Sequence, residues 1–390
     1  MIYLDHAAST PLRESARVAW LEASASTANA SSVHGAGQEA RRLLEDARDL
    51  VAQLIGCESI EVVFTSGGTE SVNLALQGLW QARADGRDAL VLPDGEHHAT
   101  LDTAAWLQSQ RAVIRAVPVD GVGRIDGAAF TAALPRAALA TALVVNNEVG
   151  TVQDAAEIAA AASEADVPLH LDAVGAVGHL PVSFRAWRGE AAGAAGLVAL
   201  SASGHKFGAP VGTGFLVVSR YARLAPVLHG GGQQRGLRSG SPDVAGAAAL
   251  AAALDEATAE LEAEAARLTG LAERLTVGIL QRMPGAELLG DPIGRVPGNV
   301  HVLFPGAAGE SMLFLLDQAG ISVSTGSACQ AGVAEPSHVV LALGRDERAA
   351  RSVLRLTLGR TSTEADVDAA LAALPDAYAR ASGARSAGRS

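Results

Sequence analysis

Short β-branched or aliphatic runs recur along the first two thirds of the chain, at Glu61 to Thr65, Ala89 to Leu92, Val113 to Val117, Ala142 to Asn146, Leu169 to Asp172, Leu197 to Ser201 and Gly214 to Val218. Between them lie alanine-rich stretches with helical spacing, such as Asp154 to Glu164. Strands that alternate with helices predict an α/β fold, with a mostly parallel sheet covered by helices on both faces. From Val244 to about Met283 the pattern becomes one long helix, acidic from Asp255 to Glu264 and basic later at Arg267, Arg274 and Arg282. Its length predicts a connection between two parts of the molecule. Beyond it, Asn299 to Phe304, Ile321 to Ser324 and Val353 to Leu358 read as strands of a smaller α+β region, and the tail from residue 379 has nothing to pack.

Composition narrows the classes. The 390 residues are 49% hydrophobic and 18% charged, which is a globular balance. No apolar run approaches the roughly 18 to 20 residues that span a bilayer. The first ten residues have no basic region followed by an apolar core, so the expected setting is a reducing cytoplasm. Two cysteines, Cys57 and Cys329, make no disulfide framework, and no zinc-ligand spacing accompanies them, so no metal is expected. A net charge of −12 argues against a nucleic-acid groove, and with no long apolar run no membrane partner is expected.

Of the 30 basic residues 29 are arginine, and the only lysine is Lys206. A guanidinium stays protonated, whereas an amine can be made neutral and act as nucleophile or base. Lys206 follows Ser203-Gly204-His205 at the end of a predicted strand, where open α/β sheets place their chemistry. Two other strand ends carry matching groups: Asp172 closes one, and Gly67-Gly68-Thr69 lies between another and a helix expected from Ser71. Free N–H groups at that helix start suit an anion. Amine, carboxylate and anion site together are what pyridoxal 5'-phosphate requires: a Schiff-base partner, a partner for the pyridinium nitrogen and a phosphate anchor. A Walker loop is excluded because Gly-Lys never occurs, and no GxGxxG follows the first strand.

These residues fall within a longer series: Tyr3 to Ala8, Asn29 to His34, Phe64 to Glu70, Glu96 to Ala99, Asn146 to Gly150, the Lys206 loop, His229 to Gly232, Arg238 to Gly240, Ser324 to Cys329, and Arg355 to Gly359. In that order they resemble the group I cysteine desulfurases, class V enzymes of pyridoxal-phosphate fold type I. The housekeeping type that serves iron–sulfur cluster assembly and tRNA thiolation is the most similar. The resemblance implies a large cofactor-binding domain over residues 13–255 with a mostly parallel seven-stranded sheet. Residues 1–12 and 256–390 would form the smaller domain, with a mobile cysteine loop at about 324–336. It implies a cytoplasmic homodimer that converts L-cysteine to L-alanine and passes sulfur, as a persulfide on Cys329, to acceptor proteins.

Position by position, the resemblance implies that Lys206 binds the cofactor and moves the Cα proton, while Asp172 pairs with the pyridine nitrogen. His97 would stack on the ring and serve acid–base steps at the substrate thiol. Gly68, Thr69, Ser203 and His205 would hold the phosphate, with Ser241 entering from a second subunit. Asn147 would lie beside the phenolic oxygen and the substrate, and Arg355 would clamp the substrate carboxylate. Cys57, after an amphipathic stretch, reads as packing. Three positions depart from the family pattern: Gly175 replaces its glutamine, Ser241 its threonine and Ala30 its proline. Two alternatives stand beside this reading, a selenocysteine lyase or other class V enzyme, and a weakly active cofactor-binding scaffold for sulfur transfer.

Overall fold

The computed structural model describes residues 1–25, 28–191, 193–326 and 335–383. The chain opens on a short strand, β1 (Ile2–Tyr3). Seven further strands, β2 (Val62–Thr65), β3 (Ala89–Pro93), β4 (Val113–Val117), β5 (Ala137–Leu143), β6 (Pro168–Asp172), β7 (Gly196–Ser203) and β8 (Gly214–Val218), form one sheet in the order β2-β8-β7-β6-β5-β3-β4. All its pairings are parallel except the two made by β8. Six of the seven are almost wholly buried, which explains their continuous apolar runs; edge strand β4 is the half-exposed exception.

One expected strand is misplaced. Ala142 to Asn146 was expected, but the strand is Ala137–Leu143, and residues from Val144 onward leave the ladder. Its sequence, AALATAL, lacks β-branched aliphatics and has helix-forming composition, so propensity points away from strand. Burial of all seven residues overrides that preference. Similarly, the helix expected from Ser71 begins at Gly68, which places Gly68 and Thr69 in its first turn.

The later strands are β9 (Glu287–Leu288), β10 (Asn299–Leu303), β11 (Ile321–Ser322) and β12 (Val353–Thr357). The antiparallel order β12-β10-β9 makes a small sheet, in which His301 lies opposite Arg355 and Asn299 opposite Thr357. The strand expected to reach Ser324 stops at Ser322, and Ser324 meets Arg355 through an isolated bridge. Strand β1 pairs with β11, and Asp5 continues as a parallel bridge to Thr357. The first residues therefore pack with the last third of the chain.

The helix Val244–Arg282 connects the two parts. Its early apolar residues, Ala247 to Ala257, belong to the core of the large sheet, and its later ones, Leu268 to Ile279, to the core of the small sheet. Arg13 reaches it at Glu256 and Glu260, at 2.6 and 2.7 Å. Of the tail expected to be loose from residue 379, Ala379 to Ala381 continue the last helix, with Ala381 packed against the small-sheet core, and residues 384–390 lie outside the described residues.

Candidate active site

A cavity of about 350 Å³ opens at the carboxyl ends of the large sheet's strands, closed on its other side by residues from the small sheet and the N-terminal segment. Gly68, Thr69, His97, Asn147, Asp172, Ser203, His205 and Lys206 all line it. Ser241 is exposed and is not part of this wall. Arg355 is buried nearby without lining the cavity, and Cys329 lies outside the described residues.

Tight backbone packing shapes the anion end. Gly67 has a left-handed φ of 145°, which a side chain rarely adopts, and starts the helix Gly68–Gln81. A Cβ on Gly214 of β8 would stand 2.6 Å from the Gly67 Cα, so the turn can lie flat on its neighbouring strand only without one. A Cβ on Gly68 would meet Val174 at 2.7 Å. The first-turn N–H groups have no intrahelical acceptor, and Gly68, Thr69 and Glu70, which carry them, line the cavity together with Ser203 and His205.

Strand β6 ends in Asp172 and β7 runs into the turn Gly204–Lys206, so neighbouring strands deliver the carboxylate and the amine. Lys206 Nζ donates to the carbonyls of Ala7 and Ala8, at 2.6 and 3.2 Å. Burial, reinforced by the nearby Arg355 charge, pushes the amine down to about 8, with Asp172 and Asp5 opposing. Asp172 accepts from the Val174 N–H at 2.9 Å. Burial pushes its carboxyl up to about 6, while that hydrogen bond and Lys206 favour the ionised form.

His97 caps the helix His98–Ser109, accepting the Ala99 N–H on Nδ1 at 3.0 Å. With Nδ1 an acceptor, the neutral ring carries its hydrogen on Nε2. Burial, helped by Lys206, lowers this imidazole to about 4, so it meets the cavity as a neutral donor. The cap and the cavity role are thus compatible: the first fixes the tautomer that the second uses. His98 faces away, packing edge-on to His338 at 4.8 Å between ring centres.

Arg355 sits on β12 with its guanidinium donating to the Asn147 carbonyl at 2.7 Å and paired with Asp5 at 3.0 Å. Its Nε is buried without an acceptor, and Asn147 Oδ1 is buried without a donor. Several lining residues carried no role in the sequence reading: His6, Ala7, His179, Asn299 and Thr357. The N-terminal ones lay inside a motif, but only the bridge of Asp5 to Thr357 shows that this motif closes the cavity. Gly175 also lines it, with Val145 occupying the adjacent space. Cys57 packs against the large core, where burial pushes its thiol up to about 12 and leaves it inert as a nucleophile.

Pyridoxal phosphate fits this donor set. The glycine turn offers free N–H groups to a phosphate, Asp172 offers a buried carboxylate to a ring nitrogen, and the Asn147 oxygen, buried without a donor, is available to a donor on a bound ligand. The chain matches the aminotransferase class-V family over residues 2–370. It is 47% identical over 390 residues to an IscS-like cysteine desulfurase of Mycobacterium tuberculosis, covering 98% of this chain and 97% of that protein. Among solved structures it is similar to a NifS-like protein, with a TM-score of 0.88 and 29% identity over 96% of this chain and 98% of that one. It is also similar to SspA in complex with cysteine, with a TM-score of 0.78 and 29% identity over 92% of this chain and 99% of that one. Cavity, donor set and full-length similarity lead to one conclusion: this chain belongs to the aminotransferase class-V family, among its pyridoxal-phosphate-dependent cysteine desulfurases.

Proposed function

We propose that this chain takes the sulfur of L-cysteine onto Cys329, releasing L-alanine and leaving a persulfide for an acceptor protein. The balance is closed: the substrate's C–S bond breaks, an S–S bond forms on Cys329, and the thiol hydrogen ends on the alanine β-carbon. The observation that carries the reading is the single lysine, buried at a strand end beside Asp172 with its amine lowered to about 8.

Pyridoxal phosphate, when bound, supplies an electron sink that makes the substrate's Cα acidic. Gly68, Thr69, Ser203 and His205 would hold its phosphate, and Asp172 would keep a proton on the pyridine nitrogen. Lys206 is the amine that would hold it, and the same amine would carry the proton from and to Cα, a task that suits an amine poised near neutral pH. His97 presents its Nε2 hydrogen toward the substrate sulfur, and Asn147 and Arg355 hold the substrate's polar groups. Residues 13–255 form the cofactor-binding domain, and residues 1–12 with 256–390 the smaller one; the working unit is a homodimer in which Ser241 of one copy completes the phosphate site of the other. The acceptors are iron–sulfur scaffold or tRNA-thiolation proteins of a reducing cytoplasm. No helix of the described residues is long and apolar enough to cross a membrane.

The test is alanine formation from cysteine, with and without a thiol reductant, in wild type and in Cys329→Ala. Wild type should form alanine continuously only with reductant, which clears the persulfide, and Cys329→Ala should fall by about a hundredfold or more. Unchanged turnover in Cys329→Ala would point to a selenocysteine lyase-like enzyme. No turnover in wild type would point to a scaffold.

A further inference from the structure

The Arg355 guanidinium already holds a carboxylate. Its side chain is 6% exposed, one amino group pairs with Asp5 at 3.0 Å, and the other donates to the Asn147 carbonyl at 2.7 Å. The Nε hydrogen, also buried, has no acceptor. Asp5 is placed there by its main chain, which continues the β1 direction, bridges to Thr357 of β12 and accepts the Tyr3 hydroxyl on its carbonyl, two residues before Ala7, whose carbonyl takes the Lys206 amine. One short segment therefore touches both Lys206 in the cavity wall and Arg355 behind it. Lys206 experiences Arg355 and Asp5 as opposed charges, which sets both within electrostatic range of the reacting centre.

We propose that Asp5 is a specificity-determining counter-ion, a built-in carboxylate against which the carboxylate of an amino-acid substrate must compete for Arg355. This inference rests on the cysteine reading above. A guanidinium that donates to one main-chain carbonyl and one aspartate has further hydrogens unused, the buried Nε among them, so a carboxylate that reaches Arg355 from the neighbouring cavity binds beside Asp5, with like charges facing across one cation. The repulsion weakens binding of substrate and product alike, and it keeps the guanidinium compensated when the cavity is empty. Asp5 is 22% exposed on its side chain, so water screens part of this effect.

Asp5→Asn keeps an acceptor in the same place and removes the charge. In the holoenzyme this variant should lower KM for L-cysteine by about threefold to tenfold, with a smaller change in kcat. The dissociation constant of L-alanine, measured by calorimetry, should fall in parallel. Asp5→Glu, which keeps the charge, should restore values near wild type, and L-cysteine methyl ester, which has no carboxylate, should not distinguish the variants. A KM and an alanine affinity for Asp5→Asn within about twofold of wild type would overturn the proposal. So would a rise in both that the methyl ester shares, since that marks lost structure. If wild type makes no alanine from cysteine, the proposed function falls, while the alanine titration still judges Asp5.

Discussion

The two walls of the cavity treat charge in opposite ways. On the large-sheet side, Asp172 and Lys206 stand at the ends of neighbouring strands with no ion-pair partner at salt-bridge distance among the described residues, and burial shifts both away from their ordinary values. On the small-sheet side, just behind the residues that line the cavity, Arg355 is held by Asp5 and a main-chain carbonyl. The first wall keeps charges reactive by leaving them unpaired, at a cost in stability; the second keeps a charge oriented by pairing it. The proposed chemistry follows this division, with proton transfer assigned to the unpaired wall and recognition to the paired side.

Replacing the amine should have the largest effect. Lys206→Arg keeps a cation of similar reach but removes the group that can give up its proton. Alanine formation should fall by about 10,000-fold or more, and the visible absorption of lysine-bound cofactor should be lost. Activity within about tenfold of wild type would abolish the distinction between the walls, because a permanently charged residue would then serve on either.

Stability gives a second way to test it. The native Lys206 amine lies at about 8, against an ordinary value of 10.5. Below 8 the amine is charged in both folded and unfolded chains, and the folded chain bears the cost of burying it. Between 8 and 10.5 the unfolded chain binds more protons than the native one, so this group makes stability rise with pH through that window. The full excursion is roughly 3 kcal/mol. Compared with a Lys206→Met variant, cofactor-free wild type should be the less stable near pH 7.5 and should close the gap by about pH 10.5. Thermal unfolding curves that run parallel for the two proteins across this range would show that the amine is not strained by burial.

The unpaired wall was legible from local sequence signals, whereas on the paired side only Arg355 was, through the resemblance, and its partner Asp5 was not. A lone lysine, an aspartate closing an apolar run and a glycine turn before a helix each mark a strand end, and strand ends of one parallel sheet converge on one rim. Nothing local marks Asp5 as the partner of Arg355, 350 residues away, because that pairing depends on the register of β12 and the bridge from Asp5 to Thr357. The same limit explains strand β5. Its residues are alanine and leucine, threonine excepted, and only complete burial in the sheet makes them a strand. His97 was legible as a cavity residue through the family motif, but the capping bond that fixes its tautomer belongs to the local geometry.

The smallest expected effect concerns how tightly the unpaired wall is packed. Gly175 stands where the family pattern has a longer side chain, and an added Cβ would lie 3.2 Å from the Val145 Cβ and 3.3 Å from its carbonyl. Val145 is buried and part of the large core, so it has little room to retreat. Gly175→Ala should therefore cost about 1 kcal/mol through overpacking and lower the melting temperature by about 2 to 4 °C. Val145→Ala opens a cavity and destabilises by itself. Combined with Gly175→Ala it should cost less than the sum of the two, since the new methyl then has space. A coupling of about 0.5 kcal/mol or more in this direction would confirm that Val145 occupies the space a longer residue would need. Simple additivity would mean that the loop carrying Gly175 moves instead, and that the wall holding Asp172 is looser than its burial implies.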